Sequence, residues 1–450
     1  MNLYYKLPVF LQNLAISLYG LKREHKRYSG SFRKIYKSIV ENEHLNDADV
    51  IAYQECRLKN LLINASKTIH YKKVFEELGV DVYNDNTFDI LSKMPFLKKD
   101  ELRGNEDDFV SRKKRSDLAF HTSGSTGTPL TIRMNVNDFR LRMAILEHIK
   151  SRYNVSYKSK HITFVGKRIT TSNDRVFWRH NFPGHQLVMS VYDLNENNKI
   201  PYLNRIKKYN PDYIEGYPSA ISIIAKWAIE QHYVIRPKVV FLTAETVRNE
   251  QKEIIETAFG CPAVNYYGSS EGAPIISCNQ SGCFSIHFES GIIEFVGLDG
   301  NKIEQGKPAK MIVTCFTTNT TPLIRYDIGD LAVLCDSEHT KGPFVKIKEI
   351  LGRIDDVFIT KEKGYVGRLS TSLKLFPPKV EKSQIQQLSL DQFKVLIVSK
   401  ERLTDDEIYP VLNDLHAKLG HISIDIEYVD SIPNGPNGKF RSQVSFVKPS

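Results

Sequence analysis

Four short segments of this 450-residue chain hold residue types whose spacing suits chemistry. Thr122, Ser123, Gly124, Ser125, Thr126, Gly127 and Thr128 form an unbroken run ahead of Pro129. Two glycines let the backbone come close to a ligand, while hydroxyls and exposed amides donate to phosphate oxygens. The lysine of G-x-x-x-x-G-K-[ST] is absent, so this is no P-loop of the NTPase kind. An anion cradle and an ordinary polar surface loop are both open readings. Tyr266, Tyr267, Gly268, Ser269, Ser270, Glu271 and Gly272 follow an apolar run. A carboxylate on a glycine-flanked turn at a strand end suits a magnesium ion on phosphates, and equally suits a plain β-turn with a solvated glutamate. PLIRYDIGD, residues 322–330, sets Arg325 among Asp327 and Asp330. Such a segment is either a structural ion-pair turn or a site where a free carboxylate accepts sugar hydroxyls. Finally, Cys278, Cys283 and His287 have C-x4-C-x3-H spacing, with Cys261 or Cys315 available as a fourth ligand. Thiolate and imidazole suit structural zinc, against which stand buried or idle cysteines.

The elements that must position these groups follow from pattern. Residues 1–115 read as mostly helical, with few glycines and no catalytic cluster. From about residue 117 to 350, β-rich runs at 161–166, 238–245 and 263–272 alternate with helical stretches, which predicts an α/β domain with its ligands at strand ends. Ser219 is expected to cap a helix running through Trp227, and a helix from Val247 to Phe259 is expected to stop at Gly260. Further on, 393–400, a helix from Asp405 to Leu419 that tolerates Pro410, and 423–430 make a β-α-β pattern in a small α+β unit.

Bulk properties limit the function. The length predicts two to four domains, and 41% hydrophobic with 25% charged residues predicts a folded chain. A net charge of +10 favours anionic ligands, yet it is spread too diffusely to predict nucleic-acid binding. Six scattered cysteines argue against a disulfide framework and for the reducing cytoplasm. Residues 7–20 are too short and too interrupted by Gln12 and Asn13 to span a membrane. Leu7, Phe10, Leu11, Leu14 and Leu18 share a helical face followed by Lys22, Arg23, Lys26, Arg27, Arg33 and Lys34. That helix either docks on its own domain or rests peripherally on an anionic membrane. G-x-G-x-x-G does not occur, which argues against a nicotinamide dehydrogenase.

Five segments in order, HTSGSTGTP, YYGSSEG, PLIRYDIGD, LGRIDDVF and NGPNGKFR, resemble the signature motifs of adenylate-forming ligases. This is the superfamily of acyl-coenzyme A synthetases and peptide-synthetase adenylation domains. Within it the chain is most similar to the phenylacetate-coenzyme A ligase branch and its relatives encoded with capsular polysaccharide genes. The opening NLYYKLPVFLQNLAISLYG resembles those relatives too. The resemblance implies a large multi-layer α/β domain over 1–352, helical to 115 and carrying the nucleotide and substrate sites over 116–352. A small mobile α+β lid would occupy 353–450.

It also implies roles. Ser123, Gly124, Ser125, Thr126 and Gly127 would wrap the β- and γ-phosphates of ATP, with Thr126 counted among the catalytic residues beside Lys439 and Glu271. Tyr267, Gly268 and Ser269 would lie near adenine and substrate, Glu271 would meet magnesium, and Asp330 with Arg353 nearby would hold the ribose. Asp355 would be the hinge, and Lys439 would reach the α-phosphate and the attacked carboxylate. Gly216, Tyr217 and Glu245 would border the acid, although Tyr217 and Pro218 equally well turn the chain into a helix. The implied reaction forms an acyl-adenylate and pyrophosphate from a small carboxylic acid and ATP, then passes the acyl group on. Coenzyme A and an amine or hydroxyl acceptor for a surface polysaccharide are both open, the N-terminus favouring the polysaccharide. A catalytically silent nucleotide-binding scaffold is the reading from another class, and the intact set of Glu271, Asp330, Arg353 and Lys439 argues against it.

Overall fold

The computed structural model describes residues 2–111, 118–121, 130–166, 168–170, 175–278, 282–298, 303, 306–335, 343–353, 358–366, 373, 375–377, 379–434 and 440–447. Seven helices come first: α1 Asn2–Lys6, α2 Val9–Tyr28, α3 Phe32–Glu41, α4 Asp47–Ala65, α5 Ile69–Leu78, α6 Thr87–Lys93 and α7 Lys99–Leu102. Their starts are chemically marked. Asn46, Thr68 and Asn86 each accept a backbone N–H from the first turn of α4, α5 and α6.

A hairpin, β1 Leu118–His121 with β2 Thr131–Met134, leads into α8 Val136–Ser151. Then come β3 His161–Val165, β4 Trp178–Asn181, β5 Gln186–Ser190, α9 Lys199–Tyr209, β6 Tyr213–Gly216, α10 Pro218–Glu230, β7 Val239–Leu242, α11 Asn249–Phe259 and β8 Ala263–Gly268. The next strands are β9 Ile275–Cys278, β10 Phe284–Ile286, β11 Gly291–Gly297, β12 Pro308–Cys315, β13 Tyr326–Leu334 and β14 Lys346–Arg353. Twelve of these strands form one sheet in the order β11-β12-β13-β14-β10-β9-β8-β7-β6-β3-β5-β4. β5, β3, β6, β7 and β8 run parallel. From β9 outward the pairing is antiparallel. β8 is therefore the seam between a parallel and an antiparallel half.

Helices cover the parallel half on both faces, as buried Val- and Ile-rich strands require. α9, α10 and α11 bury Tyr202, Ile221, Ile224 and Ile255 against Ile162, Ile214 and Val240. On the other face, α3 and α8 bury Ile39, Phe139 and Ile145 against Tyr213, Phe241 and Val264. α4 and α5 pack Leu58, Leu62 and Tyr71 on the antiparallel half. The expected helix at 219 begins one residue earlier: Tyr217 is its N-cap and Pro218 its first residue, so Ser219 is not the cap.

The C-terminal elements are the hairpin β15 Phe358–Thr360 with β16 Gly364–Val366, then β17 Val380–Gln387, β18 Gln392–Ser399, α12 Asp405–Leu419, β19 Ser423–Tyr428 and β20 Gln443–Ser445. A four-stranded sheet in the order β19-β18-β17-β20 shares a core with α12 through Val395, Ile397, Val411 and Leu415. β18 and β19 pair in parallel across α12, the expected β-α-β unit. The molecule is an α/β protein with a helical N-terminal region and a small C-terminal α+β unit.

Candidate active site

Tyr266 and Tyr267 are neighbours on β8, and strand alternation sends them to opposite faces of the seam. Tyr267 donates its hydroxyl hydrogen bond to Asp330 on β13. Asp330 is buried and stands opposite Arg353 in the β13–β14 register, which brings these two sequence-expected residues together. Arg325 goes elsewhere: its guanidinium grips both oxygens of Glu294 at 2.9 and 3.0 Å and also donates to Met94 O at 2.7 Å. Within the 322–330 segment the arginine is thus structural, and Asp330 belongs to the strand that faces Tyr267.

The turn after β8 carries Glu271, a residue only 2% exposed. Its Oε1 has no hydrogen-bond partner among the described residues, and the Lys99 ammonium lies 3.8 Å away. Lys99 supplies one cation at this buried carboxylate, and an oxygen left without a hydrogen bond among the described residues also fits a magnesium ligand. The turn is pinned from three sides. Arg142 of α8 donates to Ser269 O at 2.6 Å, Thr317 Oγ1 donates to Gly272 O at 2.8 Å, and Ser269 Oγ donates to Ala273 O at 2.7 Å. Gly272 has φ +103°, and a Cβ there would sit 2.5 Å from Thr317 Oγ1. Lys99 and Arg142 escaped the sequence reading, since nothing local marks either one.

A second group lies at the ends of β6 and β7. Gly216 lets β6 approach β3 so closely that a Cβ would meet Phe164 O at 2.4 Å. Glu245 accepts the Ser219 N–H at 3.1 Å and the Ser219 hydroxyl at 3.0 Å, holding the first turn of α10 where the helix dipole favours an anion. Its Oε1 also accepts the N–H of Phe440 at 3.1 Å, from the C-terminal unit. Burial, and then the Glu245 carboxylate, push the Tyr217 phenol up to about 12. The turn reading and the site-border reading of Tyr217 are compatible: it caps α10 and sits beside Glu245.

Behind the sheet, on the Tyr266 face, lies a charged cluster that the sequence did not announce. Lys150 of α8 donates to Glu215 at 2.8 Å, and Tyr266 donates to the other Glu215 oxygen at 2.6 Å. Burial alone would push the Glu215 carboxyl up; the Lys150 ammonium and the Tyr266 hydroxyl outweigh it and hold the group at about 2. The cluster borders a cavity of about 220 Å³ that also touches Arg23 and Glu24 of α2.

The zinc expectation is corrected. His287 Nε2 is engaged by Ser277 Oγ at 2.8 Å, and burial lowers this imidazole to about 3. Cys283 has Cys335 beside it, with the sulfurs 3.6 Å apart, instead of a ligand trio. Among the described residues no three histidine, cysteine or acidic side chains gather as a metal site. Ser123, Gly124, Ser125, Thr126, Gly127, Asp355 and Lys439 lie outside the described residues, and Arg353 is described by its main chain. On either side of the 122–129 segment, His121 and Thr131 are paired in the β1–β2 register.

Comparison with known proteins bears on this geometry. The chain is 30% identical to "Protein CapK" of Staphylococcus aureus over 458 residues, covering 99% of both chains. The chain belongs to the CapK family. The CapK C-terminal domain model matches residues 358–445, the unit built on β17 to β20. More distantly, the family member is 24% identical to a phenylacetate-coenzyme A ligase of Thermus thermophilus, over 85% of this chain and 88% of that one. In fold it is similar to 2-hydroxyisobutyryl-CoA ligase in the postadenylation state, with a TM-score of 0.65, 16% identity and coverage of 89% and 90%. Against the same ligase in the thioesterification state the score is 0.52. This CapK-family chain is thus an adenylate-forming, phenylacetate-coenzyme A ligase-like protein, an enzyme of the AMP-forming ligase kind.

Proposed function

We propose that the protein activates a small carboxylic acid with ATP and then transfers the acyl group to coenzyme A. The observation that carries this reading is the bond between Glu245 and Phe440. Phe440, the residue after Lys439 in sequence, is held by this bond next to Glu245, which follows β7. The higher similarity to a ligase in its postadenylation state supports the same arrangement.

In this mechanism the acid's carboxylate oxygen attacks the α-phosphorus of ATP, and pyrophosphate leaves. Lys439 neutralises negative charge gathering on the transferred group, the largest electrostatic demand of such a step. The loop of Ser123 to Gly127 holds the departing phosphates, while Tyr267, Gly268, Ser269, Asp330 and Arg353 position the nucleoside. Glu271 would hold magnesium, which would offset triphosphate charge. Gly216, Tyr217 and Glu245 border the acid. Rotation about Asp355 then withdraws Lys439, the acceptor's thiol attacks the acyl carbonyl, and AMP leaves.

A second reading, with an amine or hydroxyl used in surface polysaccharide assembly as the acceptor, rests on the resemblance of the N-terminal segment to polysaccharide-associated relatives. ATP–pyrophosphate exchange over a panel of aryl, fatty, hydroxy, amino and uronic acids tests the first step. One acid should drive exchange, Lys439→Ala should abolish it while ATP binding survives, and silence across the panel would refute the reading. Release of AMP dependent on coenzyme A, as opposed to an amino sugar, separates the two acceptors.

A further inference from the structure

α2 is built inside out. Its buried residues are Gln12, Ser17 and Gly20, whereas Phe10, Leu14, Leu18 and Leu21 are 68, 53, 61 and 55% exposed. These four recur at helical spacing and form one apolar stripe along the solvent side. The inversion has a physical cause. β4 is the last strand of the twelve-stranded sheet, and its outer backbone groups need partners. Asn13 Oδ1 accepts the His180 N–H at 2.9 Å, Ser17 Oγ donates to His180 O at 3.3 Å, and Ser17 Oγ accepts the Phe182 N–H at 3.1 Å. The helix spends its polar side on the sheet edge, so its leucines face outward.

Phe182, next to that edge, is 63% exposed and extends the apolar surface. Lys6 at the end of α1, Lys22 on α2 beside Leu21, and Arg33 and Lys34 on α3 are exposed, and no carboxylate occurs before Glu24. No described helix is long and apolar enough to cross a membrane. An apolar stripe bordered by cations, on a helix tied down along its opposite side, matches the interface of an anionic lipid bilayer, where apolar side chains enter the acyl boundary and lysines meet phosphates. We propose that α2 docks the protein on anionic membrane surfaces, with Phe10, Leu14, Leu18 and Leu21 as the inserted face.

The test is sedimentation of the full chain with vesicles of phosphatidylcholine alone or containing about 30% phosphatidylglycerol. Wild type should partition onto the anionic vesicles at least about tenfold more strongly, and about 0.5 M salt should weaken that binding. Leu14→Glu/Leu18→Glu and, separately, Arg33→Glu/Lys34→Glu should each lose about tenfold or more. All these side chains are exposed, so thermal melting should stay at the wild-type value and report an intact fold. Equal binding to both vesicle types, or unchanged binding of the leucine variant, would overturn the proposal. So would a lipid-free dimer that the leucine variant dissociates, which would assign the stripe to a second copy of the chain.

Discussion

Glu245 and Phe440, 195 residues apart, are joined by a 3.1 Å hydrogen bond that ties the C-terminal unit to the first turn of α10. The contact is charge-assisted, and it orients the chain immediately after Lys439. Glu245→Ala should lower acid-dependent ATP–pyrophosphate exchange roughly 10- to 100-fold, the effect of losing one such bond with its alignment. Glu245→Gln keeps an acceptor oxygen and should restore most of the rate. Equal rates in all three proteins would remove Glu245 from the site.

The Lys150–Glu215 pair has side chains only 14% and 19% exposed. Breaking a buried pair on one side leaves an uncompensated charge, so Lys150→Met alone should destabilise the fold by about 3–5 kcal/mol. Lys150→Met/Glu215→Leu removes both charges and should recover much of that loss. Urea titration of the three proteins checks the order.

At the turn that carries Glu271, Gly272→Ala forces a Cβ to within 2.5 Å of Thr317 Oγ1 at φ +103°. The strain, about 1–3 kcal/mol, would fall on the peptide next to Glu271. Exchange should then need more magnesium than in wild type. An unchanged magnesium dependence with an unchanged melting temperature would show that the turn accommodates alanine.

Stability should fall on acidification because of His287, whose imidazole is held at about 3 by burial. The unfolded chain binds a proton on this group below about pH 6.5 while the folded chain does not, so folding loses roughly 2 kcal/mol by pH 5 from this residue alone. The sign follows from a depressed base: the contribution is complete above the unfolded pKa and is lost as the pH drops toward the folded one. His287→Gln should flatten this part of the melting-temperature profile between pH 7 and pH 5.

The sequence disclosed what is local. The runs at 161–166, 238–245 and 263–272 become β3, β7 and β8, because strand propensity and flanking turn residues act over a few positions. The helix over 405–419 survives Pro410, as its apolar face at Val411 and Leu415 predicts. What escaped is non-local. The seam at β8 depends on pairing with β7 on one side and β9 on the other. Lys99 and Arg142 reach the β8–β9 turn from helices more than a hundred residues upstream, with no periodicity to flag them. Cysteine spacing suggested a zinc trio, yet strand pairing sets Cys283 beside Cys335 and hands His287 to Ser277. For α2 the helical stripe was legible but its direction was not: that was decided by the needs of a strand that follows about 150 residues later.

That edge has a practical consequence for anyone shortening the protein. Asn13 and Ser17 occupy the hydrogen-bonding groups of His180 and Phe182 that another extended chain would otherwise use. Trimming the first thirty residues would uncover a template for strand addition, and the product should self-associate into aggregates. Truncated material that fails to bind lipid would then be uninformative, whereas point changes on the outward leucines leave the sheet sealed.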